Sequence, residues 1–214
     1  HSYGYNFGWI ENVDYSGSQG WHYYGNIDDP ESYFFGKYSE DSMEYDQLCY
    51  SAQYYLPFKA VGNQRADNTP DTGEIFYYQK YHPAFGWQGQ WESKTYDPAT
   101  DPPPDDWDNG GFDTIPNDST SKNAVVVGAV NEALTSGQRD LSKVAMTSFS
   151  SWGPCDDGRV KPDIVTCGYR VYSTGSASET DYGTKYGTSV ATPSATGTAA
   201  LLIDCYDNFF PADS

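Results

Sequence analysis

A serine stands in Gly187-Thr188-Ser189-Val190-Ala191-Thr192-Pro193, at the head of a long run of small and apolar residues. The run carries Ala191, Ala195, Ala199, Ala200, Leu201, Leu202 and Ile203 on every side, the pattern of a helix buried within a core. A serine in the first turn of such a helix has its hydroxyl near backbone N–H groups that lack partners. The helix dipole adds partial positive charge there. That setting suits a nucleophile whose adduct bears an oxyanion. A bare Gly-Thr-Ser, taken alone, reads more simply as a serine N-cap. A second chemical group is acidic: Asp101, Asp105, Asp106, Asp108 and Asp113 offer enough oxygen ligands for one structural Ca2+, without regular ligand spacing.

The elements that must position these residues alternate in type. Residues 1 to 40 are rich in Gly, Tyr, Trp and Asp with no sustained period, and read as loops around short strands. A helix is expected next, with Asp41 as cap and Glu44 completing a capping box. Tyr45, Leu48, Cys49, Ala52, Tyr55 and Leu56 give it one apolar face, and Pro57 ends it. Phe58 to Val61 reads as a short strand. Residues 64 to 122 hold few aliphatic side chains and many turn formers, so they read as a long loop region or an insertion. Ala124-Val125-Val126-Val127-Gly128-Ala129-Val130 is a continuous apolar run of strand length, suited to a parallel strand buried on both faces. Val160 to Val165 and Arg170 to Ser173 offer two further strands. Helices alternating with buried strands define an α/β class.

Composition excludes several functions. Twelve Lys and Arg against 30 Asp and Glu leave a net charge of -18, which repels phosphate backbones and argues against nucleic-acid binding. No run approaches the ~18 apolar residues of a membrane span. Aromatic residues reach 17%, far above what acidic disordered chains carry, so the chain is expected to fold. Four cysteines (Cys49, Cys155, Cys167 and Cys205) show no C-x-x-C pair and no His at metal spacing. They leave one or two disulfides or buried thiols open; a Cys155–Cys167 link is one option, and Cys49 reads as a packed thiol. The chain begins at His1-Ser2-Tyr3-Gly4, which reads as the interior of a longer protein.

Gly187 to Pro193 resembles the nucleophile motif G-T-S-M-A-x-P of subtilisin-like serine proteases, with Val190 in place of Met. Three more blocks match in the family's order. Ala60-Val61-Gly62-Asn63 resembles A-A-G-N. Ser148-Phe149-Ser150-Ser151-Trp152-Gly153-Pro154 resembles S-x-F-S-x-x-G-P. Lys161-Pro162-Asp163-Ile164-Val165-Thr166-Cys167-Gly168 resembles K-P-D-I/V-x-A-x-G. The segment from Tyr45 to Pro57, with those from Phe112 to Val125 and from Ser148 to Pro162, is similar to secreted subtilases of Bacteroidetes-type bacteria.

The resemblance implies a subtilisin-like three-layer fold with a mainly parallel central sheet, of which residues 1–214 are one partial catalytic domain lacking its N-terminal part. It implies a serine endopeptidase, secreted or at the cell surface of a bacterium, acting on a peptide or protein substrate. Ser189 would be the nucleophile, and the Asn63 side chain with the Ser189 N–H would form the oxyanion hole. Ser2, Tyr3 and Gly4 would pair with bound substrate as an edge strand, and Ala60, Val61 and Gly62 would wall the first specificity pocket. No cofactor is required for the chemistry; structural Ca2+ is a family trait.

The family's Asp and His blocks, D-S/T-G and H-G-T-H, should precede Ser2 and do not occur in that context. Asp71-Thr72-Gly73 spells D-T-G but follows Pro70 rather than an apolar strand, and reads as coincidence. His1, His22 and His82 lack the motif's neighbours. The expected partner is therefore a complementary N-terminal segment carrying the catalytic Asp and His; the chain alone is expected to be inactive, and to fold only with that segment. The alternative is an inactive subtilase relative serving as a binding module. A third reading, a sugar-binding surface built from Tyr5, Phe7, Trp9, Tyr15, Trp21, Tyr23 and Tyr24, rests on composition alone.

Overall fold

Two sheets of opposite chemistry organise the chain in a computed structural model that describes residues 8–15, 17–29, 32–82, 86–104 and 110–210. In chain order the elements are β1 (Gly8–Tyr15), β2 (Ser18–Tyr24), α1 (Glu40–Ser51), β3 (Phe58–Ala60), β4 (Ile75–His82), β5 (Gly86–Thr95) and β6 (Val125–Val130). There follow β7 (Leu134–Thr135), β8 (Gln138–Arg139), β9 (Ile164–Cys167), β10 (Val171–Thr174), β11 (Tyr182–Lys185) and α2 (Thr188–Phe209).

The first sheet is parallel, in the order β3-β6-β9, and gives the expected α/β class. Its central strand β6 is the run of Val and Ala, buried along nearly its whole length. Alternation sends Val127 and Ala129 toward Ala191 and Ala195 of α2, with Phe58, Val125 and Phe149 packed alongside. Val126 faces the other way, against Val61 and Ile115. Two of the sequence blocks fasten this sheet. The Asp163 carboxylate accepts from Val126 N at 2.7 Å and from Lys161 Nζ at 2.7 Å, so β9 starts only at Ile164, later than expected. Ser150 Oγ accepts from Ala129 N at 3.0 Å. Gly168 allows α2 to begin close against the sheet, since a Cβ there would lie 2.6 Å from the Gly187 carbonyl oxygen.

The second sheet runs β1-β2-β4-β5, with β1/β2 and β4/β5 antiparallel and β2/β4 parallel. Its core is aromatic: Trp9, Tyr23, Phe76 and Tyr96, with Trp21, Ile27 and Tyr78 against them. The Trp9 ring lies 4.8 Å from Tyr23 and 4.9 Å from Phe76, between centroids. Trp9 Nε1 donates to the Pro103 carbonyl at 3.0 Å, fastening the proline-rich stretch over this core. Residues 64 to 122 are thus not a loop region throughout, because a hairpin with an aromatic face needs no aliphatic residues. Trp9 and Tyr23 are core residues rather than a sugar platform; Tyr5 and Phe7 lie outside the described residues.

Both helices depart from expectation in how they are buried. Ser39, not Asp41, caps α1, its hydroxyl accepting from Ser42 N at 3.3 Å, and the helix stops at Ser51. Its buried face is polar. The Asp46 carboxylate accepts from Lys122 N, Asn123 N and Tyr38 Oη at 2.7–3.0 Å, and Ser42 Oγ donates to the Asn117 carbonyl at 2.7 Å. Leu48, Tyr55 and Leu56, expected inside, stay exposed. In α2 only the first two turns are buried, through Thr188, Ala191 and Ala195, while Leu201, Leu202 and Ile203 are at least 60% exposed. Among the described residues nothing covers these two apolar faces. No described helix is long and apolar enough to cross a membrane. All four cysteines are free thiols, so the Cys155–Cys167 link is not formed.

Candidate active site

The chain enters α2 through a glycine. Gly187 has a φ of 134°, a conformation L side chains rarely adopt, and caps α2. A Cβ at Gly187 would lie 3.1 Å from Ser189 Oγ and 3.7 Å from Asn63 Nδ2, so the serine hydroxyl and the amide nitrogen border the same small space. β3 delivers Asn63 to this point and the start of α2 delivers Ser189. Both line one open cleft of about 780 Å³, together with Ala60, Gly62, Gln64 and Thr188.

The Asn63 amide is oriented by the residue before the serine. Its Oδ1 accepts from Thr188 N at 2.9 Å and from Thr188 Oγ1 at 3.0 Å. A backbone N–H can only donate, so the atom facing it must be the oxygen, which commits Nδ2 to the other direction. Thr188 Oγ1 also accepts from Gly62 N at 3.3 Å, closing the contact between the two segments. Of the first-turn donors of α2, Val190 N and Ala191 N reach the Gly187 carbonyl and Thr188 N is taken by Asn63. Among the described residues, the Ser189 N–H is therefore the first-turn donor left open for an incoming oxygen. An amide nitrogen, a backbone N–H and a hydroxyl gathered at a helix N-terminus can stabilise an anionic tetrahedral adduct on that hydroxyl. Sequence inspection did not single out Thr188, although it lies within the motif.

Other expected site residues are spread differently. Ala60 and Gly62 line the cleft, but the Val61 side chain is wholly buried against Ile115 and Val126, because alternate residues of an extended strand face opposite ways. Ser2, Tyr3 and Gly4 lie outside the described residues, as do Asp105, Asp106 and Asp108. Asp101 is buried and paired with Lys94 Nζ, and it also accepts from Asp97 N at 2.8 Å. Asp113 stands instead beside Gly36 and Asp156. Among the described residues no three His, Cys, Asp or Glu side chains are grouped for a metal ion. His22 is buried in the aromatic sheet, its Nδ1 3.1 Å from the Gly20 carbonyl and its Nε2 3.2 Å from Ser18 Oγ, and burial lowers its pKa. It is a core histidine, remote in role from the serine.

This arrangement belongs to a recognised class. The model of the Subtilase family matches residues 24–214, and the chain belongs to that family of serine proteases. It is 33% identical over 111 residues to an uncharacterized protein of Aquifex aeolicus, covering 47% of this chain and 50% of that one. It is 34% identical over 109 residues to the serine protease AprX of Bacillus subtilis, covering 44% of this chain and 24% of AprX. Pyrolysin of Pyrococcus furiosus shares 42% identity over 62 residues, 29% of this chain and 4% of pyrolysin. The chain thus spans half the length or less of these curated relatives. Among solved structures, the CspB protease of Clostridium perfringens matches with a TM-score of 0.47 and 14% identity, over 87% of this chain and 56% of that one.

Proposed function

We propose that this chain supplies the nucleophile and the oxyanion hole of a secreted bacterial serine endopeptidase. Ser189 Oγ attacks the substrate carbonyl carbon, the carbonyl π pair moves onto oxygen, and the hydroxyl proton passes to a base. Asn63 Nδ2 and the Ser189 N–H hold the resulting oxyanion; collapse expels the amine, which takes that proton, and leaves an acyl-enzyme that water hydrolyses. The observation that carries this reading is the double hydrogen bond from Thr188 to Asn63 Oδ1, which leaves the amide nitrogen as the donor beside the serine. Ala60 and Gly62 form a wall along which the substrate lies.

The base comes from a complementary N-terminal segment bearing an Asp and a His. Two features favour such a partner. Among the described residues β3 pairs through one edge, with β6, and the cleft beside it is lined by Tyr55, Leu56, Phe58 and Ala200. The uncovered faces of α1 and α2 add apolar surface of the kind a further layer would bury. The test is hydrolysis of a denatured protein substrate by the complete gene product and by its Ser189→Ala variant. The proposal expects turnover that Ser189→Ala abolishes. Turnover that survives the substitution overturns the nucleophile assignment, and its absence from the parent supports the binding-module alternative.

A further inference from the structure

A second clamp holds Asn63 through its backbone N–H. Gln64 folds its side chain back so that Oε1 accepts from Asn63 N at 2.8 Å. The acceptor must be the oxygen, since the partner is a backbone donor. Ser151, wholly buried, locks that side chain in place: its hydroxyl accepts from Gln64 N at 3.1 Å and lies 3.4 Å from Gln64 Oε1 as donor. Ser151 N then donates to the Gly62 carbonyl at 3.0 Å. Gly62 and Gln64 are thus tied directly to a single buried residue of the 148–154 loop, and Asn63 through Gln64. Gly62 is part of the device, because a Cβ there would sit 2.4 Å from Gln64 Oε1 and 2.8 Å from Pro116 Cδ. The next residue strengthens the tie, with Arg65 Nη2 donating to the Thr147 carbonyl and its guanidinium stacked 3.8 Å over the Trp152 ring.

We infer that Ser151 and Gln64 are positioning residues for the oxyanion donor: they fix the backbone of Asn63 while Thr188 fixes its side chain. The inference rests on the reading of Asn63 as that donor. Ser151 lies outside the cleft lining, and Gln64, which lines it, has its Oε1 turned onto Asn63 N, so both act through Asn63 rather than on substrate. Their effect arises because an oxyanion donor stabilises the transition state only when it is already in place, and movement of about 1 Å forfeits much of that advantage. Ser151 also serves the fold, so the test must separate the two roles.

The experiment compares Ser151→Ala, Ser151→Thr, Gln64→Ala and Ser189→Ala in the complete gene product, by peptide hydrolysis and by hydrogen exchange of residues 60–66. Ser151→Ala and Gln64→Ala are expected to lower kcat roughly tenfold with KM nearly unchanged, a part of the 10²–10³ that one oxyanion donor is worth. Exchange in residues 60–66 rises in both, while Ser151→Thr, which keeps the hydroxyl, restores kcat and protection. Unchanged kcat in Ser151→Ala, where Ser189→Ala abolishes turnover, overturns the inference. So does unchanged protection of residues 60–66, a readout that an inactive product still gives. Turnover that survives Ser189→Ala overturns instead the reading on which the inference rests.

Discussion

The parallel sheet and the aromatic sheet solve the same problem with different materials. The parallel sheet packs Val and Ala against the first turns of α2, which brings backbones close and places Gly187 and Ser189 against Asn63. The aromatic sheet packs four large rings around Trp9 and is closed over by its own proline-rich connection. One region holds the candidate chemistry and, among the described residues, leaves one strand edge unpaired and two helix faces uncovered. The other holds none of the site residues and encloses its own core. Precision in this molecule comes from small residues and hydrogen bonds, and bulk burial comes from a separate layer.

That division can be broken by substitution. The largest effect is expected at Ser189, where Ser189→Ala in the complete gene product costs on the order of 10⁶ in kcat, close to 8 kcal/mol. Trp9→Ala lies in the other region. It should destabilise by about 3–5 kcal/mol in a denaturant titration, with the hydrogen exchange of residues 60–66 little changed. Equal loosening of both regions would show that the two sheets are not separable in this way. Asn63→Ala should lower kcat by about 10²–10³ without moving the unfolding midpoint much, the magnitude established for the family's own Asn donor. A large loss of stability without loss of turnover would move Asn63 from chemistry to structure.

The smallest effect concerns pH. Burial pushes the Asp67 carboxyl up to about 7 from its ordinary 3.8. Between about pH 4 and 7 the folded chain keeps a proton there that the unfolded chain has released, so stability falls as pH rises through that window. Asp67→Asn removes this dependence. Relative to the parent, the variant should gain a few degrees more in Tm at pH 8 than at pH 4. A gain that is the same at both pH values contradicts the assignment.

Legibility in the sequence followed the same line. β6 and the start of α2 are readable because a continuous apolar run of strand length and an Ala-rich run each have one simple interpretation. Motif blocks single out Ser189 and Asn63, which the fold brings to one cleft. In the aromatic sheet, β1 and β2 fall where short strands among loops are expected, while β4 and β5 escape notice because aromatic and polar residues compose them, with Ile75 the one aliphatic side chain. The docking of α1 was missed because Asp46 answers backbone N–H groups of Lys122 and Asn123, partners that no local spacing announces. The same is true of Gln64 and Ser151, which are 87 positions apart. Hydrogen bonds from side chain to distant backbone leave no periodic trace, and they are what aligns this site.

The central claim is that Ser189 is an activated nucleophile completed by a base from a complementary segment. The most direct measurement is denaturing intact-mass analysis of the purified gene product after exposure to a fluorophosphonate. The account predicts one adduct per molecule, mapping to Ser189, in material that also contains a segment with D-S/T-G and H-G-T-H blocks. Material that contains those blocks yet leaves Ser189 unlabelled, or that is labelled elsewhere, would contradict it.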